Sequence, residues 1–236
     1  SFIIITIFLV VVISLVIFNF TKKNNNNNNS TDIPNKGSDV KIVKNEVSNL
    51  TLEEYTNDAL TMKKPKGWVV ETGGSGIYYA IRVYDPSDSR NQVFLMLKVQ
   101  PLLKSDASKS FWQNYYNMSG YNSQYKLFAD AVVLDSPKVE TFYQKFNEIT
   151  AYMTSIEPSF STIKFPKFTN FTKQEEFESS ASMKSVALDS KVLRGTFTGD
   201  NGKPGEGLFM ASIVNFGNQY NGGVDMLYYM VYDIMA

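Results

Sequence analysis

Phe2 to Phe20 is a run of nineteen residues without a charge, in which only Thr6, Ser14 and Asn19 interrupt the apolar side chains. A soluble helix needs a polar face, and this run has none. At about 1.5 Å per residue it spans the ~30 Å hydrocarbon core of a bilayer. Thr6 and Ser14 can return their hydroxyls to carbonyls of their own helix. A cleaved signal peptide is the competing pattern, with a core of about 7–15 residues and then a small-x-small site. Asn19-Phe20-Thr21-Lys22-Lys23 offers no such site. Residues 1–20 are therefore read as one uncleaved transmembrane anchor.

Asn24 to Asn29 are six consecutive asparagines, and the chain stays polar to Asn49, with Pro34 and Gly37 as breakers. Such a tract buries too little apolar area to offset its conformational entropy. Residues 21–51 are read as a disordered Asn-rich spacer. About 30 residues of this kind extend roughly 30 Å. Lys22 and Lys23 alone would favour the cytoplasmic side for the downstream region. The chain opens at Ser1 and closes at Ala236 straight after a strand-like run, so it reads as part of a longer protein whose N-terminal flank is not seen. Anchor, spacer and downstream globular stretch together predict a single-pass cell-membrane protein with its soluble region outside.

Residues 52–236 carry the patterning of one soluble α+β region, and the 43% hydrophobic content of the whole chain is enough for a core. Leu60–Met62 reads as a strand ending in the turn before Trp68, and Trp68–Thr72 as a second, closed by Gly73-Gly74-Ser75-Gly76. In the next strand Ile77, Tyr79, Ile81 and Val83 share one face. After the polar loop Asp85–Asn91, residues Val93, Leu95, Leu97 and Val99 alternate in the return strand, completing an antiparallel meander. A helix capped by Ser105 or Asp106 runs to about Asn117. A second, capped at Ser136 with Pro137 in its first turn, carries Val139, Phe142, Tyr143, Phe146, Ile149, Met153 and Ile156 as one apolar stripe. Pro158 and Pro166 interrupt the chain before a less regular stretch. A second meander then uses Val186–Thr198, Leu208–Phe216 and Val224–Met235. Its last strand is apolar on both sides, which predicts a central, partly covered position. The expected fold class is α+β: an antiparallel sheet of two meanders packed with helices, preceded by a transmembrane helix and a disordered linker. Two related halves split near residue 158 are the competing organisation, since Ile81-Arg82-Val83 and Leu193-Arg194-Gly195 each precede a polar loop and a return strand.

Much chemistry is excluded. The 23 basic and 23 acidic residues leave no net charge, which argues against a nucleic-acid partner. There is no cysteine and no histidine, so disulfides, imidazole bases and the usual zinc sites are absent. Gly73–Gly76 lacks the Gly-Lys-Ser/Thr of a phosphate loop and precedes a strand. Asp85, Asp88 and Asn91 could offer oxygens to calcium, but their spacing departs from the EF-hand pattern and reads as a turn. No metal and no cofactor is expected. Glu175, Glu176, Glu178, Glu206, Asp225 and Asp233 are the candidate carboxylates for glycoside hydrolysis. Glu175-Glu176 reads as a solvated helix face, and no pair can be singled out, so no catalytic residue is assigned.

Aromatics are abundant, with 17 Phe, 14 Tyr and 2 Trp. Most are expected to fill the core, Trp68 among them. Trp112, Tyr115, Tyr116, Tyr121 and Tyr125 instead gather with Asn and Ser in the helical middle. That mixture suits an adaptable contact surface, so these five are the candidate binding residues.

Leu60 to Val99, with its Pro65-x-Gly67-Trp68 turn, aromatic strand, Asp85-Pro86 loop and return strand, resembles the opening of the PsbP-like α/β group. The resemblance implies an antiparallel sheet between helices, used as a binding or assembly platform, and carries over no catalytic residue. The chain as a whole resembles uncharacterised membrane-anchored surface proteins of low-GC bacteria. The function expected is a membrane-anchored, extracytoplasmic, non-catalytic binding module for a protein or cell-envelope ligand. The alternative is a carboxylate-dependent hydrolase of a cell-wall or sugar substrate.

Overall fold

The computed structural model describes residues 51–58, 60–76, 78–99, 101–179, 184–185 and 187–215, and the backbone of 228–235. The anchor, the spacer up to residue 50, the face position of Ile77, the turn at Asn218–Gly223 and the side chains of the closing strand lie outside the described residues. No helix among the described residues is long and apolar enough to cross a membrane. The chain divides into two compact units between Lys66 and Gly67.

The first unit contains a two-stranded antiparallel hairpin, β1 (Leu52–Thr56) and β2 (Thr61–Pro65). Its turn is closed by Asn57. The Asn57 amide donates to the Leu60 carbonyl at 3.0 Å, and its side-chain Oδ1 accepts from the Leu60 amide at 2.9 Å. Glu53 and Lys64 stand opposite one another and form an ion pair. β1 gives little alternation signal because its sequence, Leu-Glu-Glu-Tyr-Thr, offers few apolar positions.

The second unit is built on a seven-stranded antiparallel sheet in the order β3-β4-β5-β9-β8-β7-β6. The strands are β3 (Val69–Ser75), β4 (Tyr78–Asp85), β5 (Asp88–Met96), β6 (Phe168–Glu178), β7 (Asp189–Gly199), β8 (Pro204–Asn215) and β9 (Tyr228–Met235). The fold is thus α+β with antiparallel sheets. β9 stands fourth of seven, between the two meanders, and joins them.

Between β5 and β6 lie α1 (Asp106–Met118), α2 (Ser123–Ala129), α3 (Val139–Gln144), α4 (Phe146–Ile156) and a 3₁₀ turn at Pro158–Thr162. Ser105 caps α1, its hydroxyl accepting from the Ser108 amide at 3.1 Å. The long apolar stripe is divided between α3 and α4, which break at Lys145. Val139, Phe142, Tyr143, Phe146, Ile149 and Met153 are all buried. They meet Phe94, Met96, Leu193, Phe209 and Ala211 of the sheet in one core. Phe146 stacks on Phe168 at 5.3 Å between centroids, and Tyr143 meets Phe209 edge-on at 5.0 Å.

Three expectations are corrected. Ser136 does not cap the second helix. Lys138 takes the N-cap position without a side-chain bond, and Asp189 of β7 accepts from the Val139 amide at 2.8 Å instead. Gly73 and Gly74 lie inside β3 rather than in a turn. A Cβ at Gly73 would come within 2.5 Å of Ile163 Cγ2, so the bare backbone there lets the 3₁₀ segment approach the sheet. The stretch after Pro166 is not irregular but forms β6, so Glu175 and Glu176 sit on a strand and not on a helix face. The alternation in β5 left open which of its faces meets the core. Val93 is 42% exposed, whereas Phe94 and Met96 are fully buried beside Ala80 of β4. Both faces of these strands are apolar, so alternation separates them without saying which one the helices cover.

Candidate binding surface

α1 and α2 form a helical pair whose turn is made by two left-handed residues, Gly120 at φ 71° and Tyr121 at φ 64°. Positive φ comes easily to glycine but costs a tyrosine about 1–2 kcal/mol. α2 begins at Asn122, whose side chain accepts from the Gln124 amide at 3.0 Å. Tyr152 of α4 ties the pair down, its hydroxyl donating to the Leu127 carbonyl at 2.8 Å.

Of the five sequence-selected residues, three come together in one cluster. Trp112 stacks on Phe128 at 4.5 Å and on Tyr125 at 6.1 Å. Tyr115 meets Tyr125 edge-on at 4.7 Å. The Tyr115 phenol beside it, through charge and a hydrogen bond, raises the Tyr125 hydroxyl above its ordinary pKa. Tyr116 and Tyr121 form a separate pair at 5.3 Å. Sequence reasoning did not select Phe111, which stacks on Tyr115 at 6.1 Å, or Phe128. The i, i+4 spacing of Phe111 and Tyr115 was the available signal. Phe128 carried none, because α2 itself was not anticipated.

The inner rings, Trp112 and Phe128, pack against the main core. The outer ones face water. Phe111 is 40% exposed, Tyr115 43%, Tyr121 68% and Met118 84%. Trp112 adds an unusual polar feature, since its Nε1–H is buried with no hydrogen-bond partner. Leaving such a donor unpaired costs about 1–3 kcal/mol. Trp68, expected in the core, is only half-buried and lies outside the main cluster.

The candidate carboxylates are occupied. Arg194 of β7 bonds Glu175 at 2.8 Å and also pairs with Glu206. Glu176 pairs with Lys191 and with Lys173, the latter at 3.1 Å, and these neighbours hold its carboxyl below the usual range. Glu178 pairs with Lys184. Asp225 and the Asp233 side chain lie outside the described residues. The loop acids are also engaged: Asp85 accepts from the Ser87 amide at 2.8 Å and its hydroxyl at 2.6 Å, and Asp88 from Arg90 Nε at 2.9 Å. Among the described residues no group of three potential metal ligands is assembled. β6, an edge strand, carries bulges near Asn170 and Gln174 together with this charge ladder, which blunts it against pairing with another sheet.

Comparison with family models, with curated proteins and with solved structures returned no match.

Proposed function

We propose that this chain is a membrane-anchored, extracytoplasmic binding module that takes a protein or cell-envelope ligand on the aromatic face of α1 and α2. The observation that carries the reading is the exposure of Phe111, Tyr115, Met118 and Tyr121 on a helical pair whose inner rings are fixed in the core. Large side chains presented to water from a rigid base are the usual makings of a contact surface. Tyr121 adds weight, because an aromatic residue held in left-handed backbone and left two-thirds exposed does little for folding. The pairing of every described candidate carboxylate with a cation favours binding over hydrolysis. Residues 1–20 serve as the anchor and 21–51 as the spacer that lifts the module from the bilayer. The antiparallel sheet and its helices are in keeping with a PsbP-like platform, in which the scaffold presents a surface rather than a reaction centre.

The test uses the full chain in lipid nanodiscs with Trp68→Phe, so that Trp112 alone reports. Isolated envelope fragments are titrated in and the indole emission followed. A saturable shift that disappears in the Tyr115→Ser, Tyr121→Ser double variant supports the reading. An absent shift, or one that the double variant leaves unchanged, refutes it.

A further inference from the structure

The edge strand β6 is protected unequally along its length. Lys173, Glu175, Glu176 and Glu178 load its C-terminal half with charge, whereas Phe168-Thr169-Asn170-Phe171-Thr172 carries none. An uncharged edge of aromatic and β-branched residues invites pairing with another strand. From Thr169 to Thr172 the register on β7 advances only from Thr198 to Thr196, so one residue is extra. Asn170 sits in this bulge with φ 55°. Phe171 turns inward and is buried, its ring against Gly195, while Thr169, Asn170 and Thr172 are exposed.

We propose that Asn170 is an N-glycosylation site, carrying on its Nδ2 an oligosaccharide that covers the uncharged half of the edge. Asn170-Phe171-Thr172 has the acceptor pattern Asn-x-Ser/Thr with x not proline. The assignment rests on the extracytoplasmic reading, since such acceptors are surface segments of exported proteins. The same pattern occurs at Asn117-Met118-Ser119, and at Asn19, Asn28, Asn29 and Asn49, which lie outside the described residues. Geometry separates the two described sites. Residues two apart on a helix do not face each other. Ser119 Oγ is also committed to the end of α1, donating to the Tyr116 carbonyl at 2.8 Å and accepting from the Asn122 amide at 3.3 Å. At the bulge, Thr172 Oγ1 donates to the Asn170 carbonyl at 3.3 Å, so hydroxyl and acceptor lie side by side at the surface. Asn170 Nδ2 donates to Thr198 Oγ1 at 3.3 Å, using one of its two hydrogens. In the transfer the other hydrogen leaves as a proton to a base. Nδ2 bonds to the anomeric carbon of an oligosaccharide, and the C–O bond to its carrier, a polyprenyl diphosphate, breaks. The diphosphate leaves with the electron pair, and the remaining N–H keeps its bond to Thr198.

The test uses the affinity-tagged full chain purified from membranes of its source cells. Trypsin cuts after Lys167 and Lys173 and so isolates Asn170 in the peptide Phe168–Lys173, while Asn117 falls in Ser110–Lys126. Glycopeptide mass spectrometry should find an oligosaccharide on Phe168–Lys173 in most copies and none on Ser110–Lys126. Thr172→Ala, which leaves Asn170 in place, should abolish the modification, and Thr172→Ser should retain it. A bare Phe168–Lys173, a glycan that survives Thr172→Ala, or one on Ser110–Lys126 in its place would overturn the proposal. Labelling intact cells with a membrane-impermeant amine reagent keeps this failure apart from that of the extracytoplasmic reading. Labelled lysines, exposed Lys138 among them, with a bare Asn170 would remove the acceptor site alone. Unlabelled lysines would remove both.

Discussion

The Val139 amide donates to Asp189 Oδ2 at 2.8 Å across fifty residues of sequence, so the helix that carries the core stripe is capped by a strand. A carboxylate at a helix N-terminus satisfies an orphan amide and faces the positive end of the helix dipole. Asp189→Ala should cost about 1–2 kcal/mol, and Asp189→Asn clearly less. Urea unfolding followed by circular dichroism measures both. Equal losses for the two variants would assign the effect to packing and not to the cap.

The turn between β4 and β5 predicts an acid sensitivity. Hydrogen bonds from Arg90 are the main reason that the Asp88 carboxyl is lowered from 3.8 to about 2. A depressed carboxylate contributes stability that is present above its unfolded pKa and is lost as pH falls through the folded one. The window is therefore pH 4 down to about 2. Carboxyl-carbon NMR should give Asp88 a midpoint near 2, rising toward the ordinary value in Arg90→Ala; an unmoved midpoint would remove Arg90 as the cause.

Gly74 has φ +93°, and a Cβ there would lie 1.9 Å from the Tyr78 carbonyl oxygen. Backbone cannot yield as a side-chain tip can. Gly74→Ala should destabilise by more than about 2 kcal/mol. Gly67 is also left-handed but has open space around it, so Gly67→Ala should cost only the backbone term of about 1–2 kcal/mol. Thermal or urea denaturation of the pair checks the order.

The Tyr143 hydroxyl donates to the Met210 carbonyl at 2.7 Å. Tyr143→Phe keeps the ring in the core and removes that bond, for a loss of about 1 kcal/mol. Met153→Ala, which opens a cavity in the same core, should cost about 2–5 kcal/mol. Chemical denaturation separates the two scales.

Tyr121 should divide stability from binding. Tyr121→Gly relieves a left-handed tyrosine but gives up the ring contact with Tyr116. The two terms are similar in size, so stability should stay within about 1 kcal/mol of wild type. Envelope binding, read from Trp112 emission, should fall. Unchanged binding in this variant would take Tyr121 out of the contact surface.

The candidate surface was partly legible in the chain. Trp112 and Tyr115 sit one helical turn or less apart on a helix with a local cap at Ser105, and aromatic spacing on a helix is a local property. Their union with Tyr125 was only suggested by proximity in sequence. It became a ring cluster because α2 folds back on α1 through Gly120 and Tyr121, and nothing in a tyrosine announces positive φ. The ion pairs that occupy Glu175, Glu176 and Glu206 were likewise not legible, since each depends on strand register.

The sequence by itself determined which residues form the helical half of the core, the cap of α1, and the assignment of these segments to an antiparallel α+β fold. Those properties arise from short-range periodicity and side-chain chemistry. Tertiary structure decided which face of β5 is covered, where β9 lies, what caps α3, and why β3 needs glycine at 73 and 74. Each of these depends on a neighbour dozens of residues away. A strand that is apolar on both faces carries no local mark of the side its helices will choose.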